Sequence, residues 1–567
     1  MGICSSSLPW EQPTSDGGSY GDDNERKPNV SKMVRGGGNI LPSDTADVRP
    51  KTGEEGEEEL PQGKFVNGNL GVVEPDYVVQ LQKNLADGEL FEDPDFPAVM
   101  ESAFFSSRRS TTIEWRRPKE LAENPQLFVD GINRRDVVQG SLGDCWFLSS
   151  CSAVAREKKL IERVLDPNQA LHGDKHTGLI VCKFWRFGSW ATVCIDDRLP
   201  TRGGKLLFAR SSDDSEFWVA LLEKAYAKLH GSYEAMEGGQ SMDAMVDLTG
   251  GLAERHDFDE KANLQKIFKH MYKLLRNGAF ITCSRKGDWR MAYKTDENGL
   301  VEGHAYTVTA VTRVRHKDLG TVNLVRIRNP WANDAEWKGT WGENDRVWEG
   351  VSETQRAKLR QQEQHGDGES WMSYEDFAKQ FEEVSICMMG PDFDADGDTD
   401  RVERTRDIQG SWRAGINAGG CRNNFELFST NPQYLLQIID TGSNSLNEED
   451  LDDEEDDAEN NGKANVLVAL MQEHRLSIKD TGVKMYQIAV VIYKTADPDH
   501  RLPKKHFMYN YEVGTSGVYI NYREVLARLD LEPGYYVIIP ATFEPQCVGD
   551  FMIRVFSDGN FTLKELV

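Results

Sequence analysis

The string QGSLGDCWFLSSCSAVA, residues 139 to 155, constrains this chain more tightly than any other. Beyond Cys145 it is small or apolar and free of Gly and Pro, so it predicts a buried helix beginning near Cys145. A cysteine at a helix N-terminus feels the positive end of the macrodipole, which favours the thiolate and therefore a nucleophile. Gln139 lies six residues upstream, where its side-chain amide and the Cys145 backbone N–H can donate to the oxyanion of a tetrahedral acyl intermediate.

A nucleophilic thiol needs a base. LVEGHAYTVTAV sets His304 after Gly303 at the start of an alternating strand, and VRIRNPWAND sets Asn329 at the end of another. Strand ends present side chains at the rim of a sheet, so the two are expected as neighbours. The Asn amide would accept from one imidazole nitrogen and leave the other facing the sulfur. The cysteines outside this setting, from Cys151 to Cys547, read as core thiols. Nine cysteines with no paired CxxC spacing indicate neither a disulfide framework nor a zinc knuckle and favour a reducing compartment. Neither HExxH nor GxSxG occurs, which disfavours zinc and serine hydrolases.

At 567 residues the chain is too long for one core, and no apolar run approaches the ~18 residues of a membrane span. A net charge of -27 argues against nucleic acid and for cations or basic partners. Residues 1 to 80 are rich in Gly, Ser, Pro and Glu and read as disordered. The opening MGICSS matches the pattern for myristate on Gly2, with Cys4 beside it as a palmitate acceptor; an unmodified start is the other reading. After Pro391 comes a charged connector, then the runs YLLQIID, NVLVALM, YQIAVVIY, FMYNYEV, GYYVIIP and FMIRVF, which predict an antiparallel β-sandwich. Between two of these runs lies EEDLDDEEDDAE, residues 448 to 459, an acidic loop.

The segments QGSLGDCWFLSS, FWRFGSWATVCIDDRLPT, EFWVALLEKAYAKLHGSYEA, GHAYTVTAV, RIRNPWANDAEWKGTW and DGESWMSYEDF resemble the protease core of the calpains. Calpains are calcium-dependent, papain-like cysteine proteases of the cytosol. GSWRAGINAGGCRNN, with the acidic loop and closing strands, resembles the calpain sandwich. The order Gln, Cys, His, Asn is that of papain, with a Cys-to-His interval slightly longer than its about 130 to 150 residues. Where papain-type enzymes carry a disulfide cysteine, this sequence has Leu142. The resemblance implies an α+β chain. A papain-like two-subdomain core occupies residues 81 to 235 (helical) and 236 to 390 (β-rich), a linker 391 to 409, and the sandwich 410 to 560.

Carried over by position, the resemblance implies Cys145 as nucleophile, His304 as general base and then acid, Asn329 as its orienter and Gln139 as oxyanion donor. It makes Trp331 a shield of the cleft. It implies calcium as cofactor, with carbonyls of Val129 and Gly131, Asp136 and Glu216 in the first half. The second half would use Glu336, Glu343, Asp367, Glu369 and a carbonyl near His365. Two departures stand out. The sequence stops at Val567 without the family's EF-hands, as in an atypical or short form, so EF-hand dimerisation is not expected. An extra residue precedes Glu336, and Glu343 stands where Asp is expected.

The expected function is a calcium-activated cytosolic endopeptidase making limited cuts in flexible protein segments. A non-proteolytic, calcium-responsive membrane adaptor is the alternative, and the intact Cys145, His304 and Asn329 weigh against it. The acidic loop has three readings: calcium binding, pairing with basic residues of the core, or plain solvation. Lys504 and Lys505 are a small candidate patch for phospholipid.

Overall fold

An apolar run without alternation needs cover on both faces, and NVLVALM receives it. In the computed structural model it lies in strand Ala464–Gln472. Val466, Val468 and Leu470 enter the sandwich core, while Leu467 and Ala469 join the core of the domain before it. The structure describes residues 71–85, 88–106, 112–287, 294–332, 336–360, 368–389, 404–441, 462–473 and 485–567. All belong to one unit, 61–567.

The sandwich consists of two antiparallel sheets. The four-stranded sheet runs, edge to edge, Arg404–Trp412, Gly549–Ser557, Ala464–Gln472, Glu524–Leu531. The five-stranded sheet runs Gly514–Thr515, Ile488–Thr495, Gly534–Thr542, Tyr434–Ile438, Phe561–Glu565. Trp412, Ile488, Val490, Ile538, Phe551 and Ile553 fill the space between them. FMYNYEV is not a strand. Lys504–Tyr509 is a short helix entered from Pro503, and it seats Phe507 against Val537 and Ile539 on the outer face of the five-stranded sheet.

The domain before the sandwich has two cores. The first surrounds the fully buried helix Cys145–Val154 and includes helices Trp218–His230 and Ser241–Thr249 and the hairpin Leu179–Arg186 with Ser189–Asp196. The second backs a six-stranded antiparallel sheet ordered Glu369–Ser373, Gly320–Arg328, Ala305–His316, Phe280–Arg285, Phe381–Met388, Leu252–Asp257. Helix Leu264–Arg276 packs on it through Ile267, Phe268 and Met271.

Three expected boundaries move. Order begins before residue 81: Val72 and Val73 pair with Val193 and Thr192 along the hairpin edge, and helix Pro75–Asn84 follows. The halves divide near Gly250 rather than at 236, because Met242, Met245 and Leu248 pack into the first core. The sandwich extends from Arg404 through Glu565, wider than 410 to 560, since an edge strand is added at each end of the segment. The acidic loop 448–459 and most of the linker lie outside the described residues.

Three arginines fasten the sandwich to the core. Arg523 Nη1 donates to Asp247 Oδ1 at 2.7 Å, and Arg528 Nη2 to Glu254 Oε1 at 3.1 Å. Arg554 donates to the Gly250 and Gly251 carbonyls and lies 4.3 Å over the Trp185 ring.

Candidate active site

Cys145 is the first residue of its helix, as the sequence predicts. The Phe147 and Leu148 amides close the first turn on the Asp144 carbonyl, and Trp146 Nε1 anchors it to the Met236 carbonyl at 2.9 Å. His304 follows Gly303, whose φ of 58° makes the left-handed bend that glycine tolerates, and immediately precedes strand Ala305–His316. Asn329 directly follows strand Gly320–Arg328. The sheet pairs these two strands, with Arg328 opposite Thr307, so their ends bring His304 and Asn329 together.

Asn329 Oδ1 accepts from the Trp331 backbone N–H at 3.0 Å and lies 2.9 Å from His304 Nε2. The backbone donor identifies that atom as oxygen, so Nε2 carries the imidazole proton and Nδ1 is the basic nitrogen. The Trp331 ring stands 5.2 Å from the imidazole, centroid to centroid, and covers it. Ala305 N–H donates to Cys145 Sγ at 3.4 Å, bringing the strand after His304 directly onto the nucleophile. Among the described residues no hydrogen bond joins the imidazole to the sulfur.

The thiolate-favouring effect expected at the helix N-terminus is overcome here by burial. Cys145 is 8% exposed and His304 1%. Burial pushes the thiol up to about 11 and the imidazole down to about 4, so both are neutral near pH 7. Partial helix charges are outweighed by the loss of water, and the neighbouring Asp144 carboxyl raises the thiol further.

Gln139 Nε2 donates to the Leu142 carbonyl at 2.7 Å, and its second amide proton remains for another acceptor. Gln139 N–H also donates to the Pro330 carbonyl at 2.9 Å across the two halves. Thr307 Oγ1 to the Ser149 carbonyl (2.7 Å) and Arg328 Nη2 to the Val137 carbonyl (3.0 Å) cross the same seam. So does the ion pair of Arg134 Nε with Glu369 Oε1 at 2.6 Å.

The first-half calcium candidates come together. Glu216 Oε1 accepts from the Val129 N–H at 2.7 Å, and Asp136 Oδ2 from the Asn133 N–H at 2.7 Å. Asp130 and Gly131 turn the intervening loop with φ of 53° and 93°. Burial lifts Asp136 to about 6; burial, and then repulsion from Asp136, lifts Glu216 to about 7. Two partly buried carboxyls that repel each other are a donor set that suits a divalent cation. In the second half the Glu369 carboxylate is occupied by Arg134 and Arg326, and Glu336 Oε1 accepts from the Gly368 N–H at 3.2 Å. Glu343 lies in the loop just ahead of the helical turn Arg346–Gly350. His365 and Asp367, like Gly2 and Cys4, lie outside the described residues.

Asp144 and Glu223 belong to this neighbourhood although no motif singles them out. Both are buried, and the neighbour of the Asp144 carboxyl is the Glu223 carboxyl, which accepts from the Ala209 N–H. Burial raises Asp144 to about 7 and Glu223 well above its usual range, so the pair holds a shared proton near neutral pH. A pKa raised in the folded state gives stability that is complete below the unfolded value and lost as pH rises through the folded value. Acidification through neutral pH should therefore stabilise the protein through this pair. Asp144→Asn should remove that increment, read as a flatter melting midpoint against pH. The signal in the sequence is an acid at the N-cap position of a helix buried on every side.

Known proteins resemble this chain over most of its length. Residues 91–388 match the calpain family cysteine protease model, and residues 408–556 match domain III of the calpain large subunit. Calpain-A of Drosophila melanogaster is 41% identical over 86% of this chain and 58% of its own length. Calpain-B of the same fly is 41% identical over 85% of this chain and 51% of its own. The human calpain-2 catalytic subunit is 38% identical over 85% of this chain and 68% of its own. The chain thus spans little more than half the length of the two fly proteins.

Proposed function

The chain belongs to the calpain family of cysteine proteases, and from that premise we propose that it is a calcium-activated endopeptidase working through Cys145, His304 and Asn329. The observation that carries this reading is the contact of Asn329 Oδ1 with His304 Nε2: it assigns the proton to Nε2 and leaves Nδ1 bare, beside the strand that touches Cys145. When the halves shift enough to bring Nδ1 to Sγ, the imidazole takes the thiol proton and the thiolate attacks a peptide carbonyl carbon. The second amide proton of Gln139 and the Cys145 N–H, which has no acceptor within its helix, would donate to the resulting oxyanion. As the C–N bond breaks, the imidazolium gives its proton to the leaving amine. Water, deprotonated by the same nitrogen, then hydrolyses the thioester.

On this reading Asp136, Glu216 and the Val129–Gly131 loop would hold calcium, which would supply positive charge to offset the repulsion between the two carboxyls and would favour an aligned arrangement of the two halves. A buried, unaligned Cys145 supports such gating, since a neutral thiol away from its base is a poor nucleophile. Substrates would be flexible segments of cytosolic proteins, and acyl chains on Gly2 and Cys4 would add a membrane tether.

The test is casein hydrolysis by the purified chain, titrated from chelator to millimolar calcium. Cleavage is expected to be at the assay floor in chelator and to rise at least about tenfold with calcium. Equal cleavage in both would remove the gating. No cleavage at any calcium level by a folded sample would favour the adaptor reading instead.

A further inference from the structure

Away from the active site, two histidines and a glutamate converge where the second half of the core meets the sandwich. Glu254 and His256 lie on strand Leu252–Asp257, and His270 lies on helix Leu264–Arg276. One ligand atom from each falls within 4.8 Å of the others. His270 Nε2 hydrogen-bonds Glu254 Oε1, while His256 Nε2 stands 3.6 Å from Glu254 Oε2. That distance is too long for a hydrogen bond, and His256 Nε2 is buried with no other among the described residues. The two imidazoles meet edge to face, their centroids 5.3 Å apart.

We propose that Glu254, His256 and His270 form a binding site for a zinc-class divalent cation, with water completing the coordination. Two imidazole nitrogens and one carboxylate are a common zinc donor set, and tetrahedral bonds of about 2.0 to 2.2 Å separate ligand atoms by roughly 3.3 Å. The 3.6 Å gap between Glu254 and His256 is already close to that spacing. An ion there would also give the His256 nitrogen a closer partner than the 3.6 Å Glu254 carboxylate. Calcium is a poor fit, because it prefers six to eight oxygens.

The competitor is Arg528 from the sandwich. Its Nη2 and Nε reach Glu254 Oε1 and Oε2 at 3.1 and 3.3 Å. A dication bound by Glu254 repels this guanidinium. Arg528 is 28% exposed and bonded to Asn465 Oδ1 at 2.8 Å, so it has room to move and a partner to keep. Metal binding and this sandwich-to-core latch therefore exclude each other, which gives the site a signature that a purely structural cluster would lack.

Cobalt(II) absorption on the full chain tests this, in a Cys145→Ser background so that the nucleophile does not supply a thiolate. One equivalent should give the intense visible bands of four-coordinate cobalt, without sulfur charge-transfer. His256→Gln and His270→Gln should each weaken binding at least about tenfold, whereas Arg528→Gln should tighten it by a similar factor. Zinc should displace the cobalt. Absent bands, or unchanged binding in both histidine variants, overturn the site. Should those variants fail to fold, the Arg528→Gln protein decides alone: unchanged or weaker cobalt binding overturns the proposal.

Discussion

Cys145→Ser is expected to reduce casein cleavage in calcium to the assay floor, a loss of about five to six powers of ten in kcat. The size follows from the chemistry of the pair. His304 offers Nδ1 as its base, and burial holds that imidazole to about 4 in the unaligned state. A base so weak has little hold on a serine hydroxyl, whose pKa lies far above that of a thiol. Oxygen for sulfur is also a small change in a core shared with Trp146, Phe147 and Ala305. The melting midpoint should stay within about 1 °C of the parent, which separates lost chemistry from lost structure. Calcium-dependent cleavage surviving in Cys145→Ser would displace Cys145 as the nucleophile.

The largest effect on stability should come from Asp247→Ala. Asp247 Oδ2 accepts from Arg186 Nη1 at 2.7 Å and Tyr226 OH at 2.9 Å, and Oδ1 accepts from Arg523 Nη1 at 2.7 Å. All four side chains are buried. Removing the carboxylate leaves two guanidinium groups in the interior with less than their due of negative charge, a cost of about 3 to 5 kcal/mol. Spread over one cooperative transition of a chain this long, that is a fall of roughly 3 to 5 °C in melting midpoint by scanning calorimetry. Activity should fall as well, because Asp247 lies on helix Ser241–Thr249, which packs directly on the nucleophile helix. Asp247→Asn keeps an acceptor and should land between. An Asp247→Ala protein that melts with the parent would show that Asp243, also paired with Arg523, carries the junction.

The elements that carry the candidate site are legible because local pattern determines them. A helix must start where a Gly-rich turn meets an apolar stretch, and alternating strands must end where Gly303 and Pro330 interrupt them. The sandwich strands are legible for a related reason: Val, Ile and Leu on both faces leave little but a doubly covered strand. Arg404–Trp412 is hidden because it is an edge strand carrying Arg, Asp and Gln, and its pairing with Gly549–Ser557 is a long-range fact. Val72–Val73 is too short for any period, and only its partner strand makes it one. Met242 to Leu248 is apolar enough for either half, so sequence alone does not choose the core it joins. FMYNYEV has the aromatic content of a strand, yet Pro503 sets up a helical turn at its start. The protonation state of Cys145 and His304 is beyond reach of any motif, since a thiol's titration depends on how much water the fold removes.

Strand Gly549–Ser557 turns Phe551, Ile553 and Val555 into the sandwich, while Met552 reaches the first core and Phe556 the second. One late stretch of sequence thus supplies side chains to all three interiors. On the ribosome, the contacts that Met552 and Phe556 make with the two halves form only after this strand has left the exit tunnel. A nascent chain therefore carries Cys145 and His304 for hundreds of residues before the strand that joins all three interiors is made.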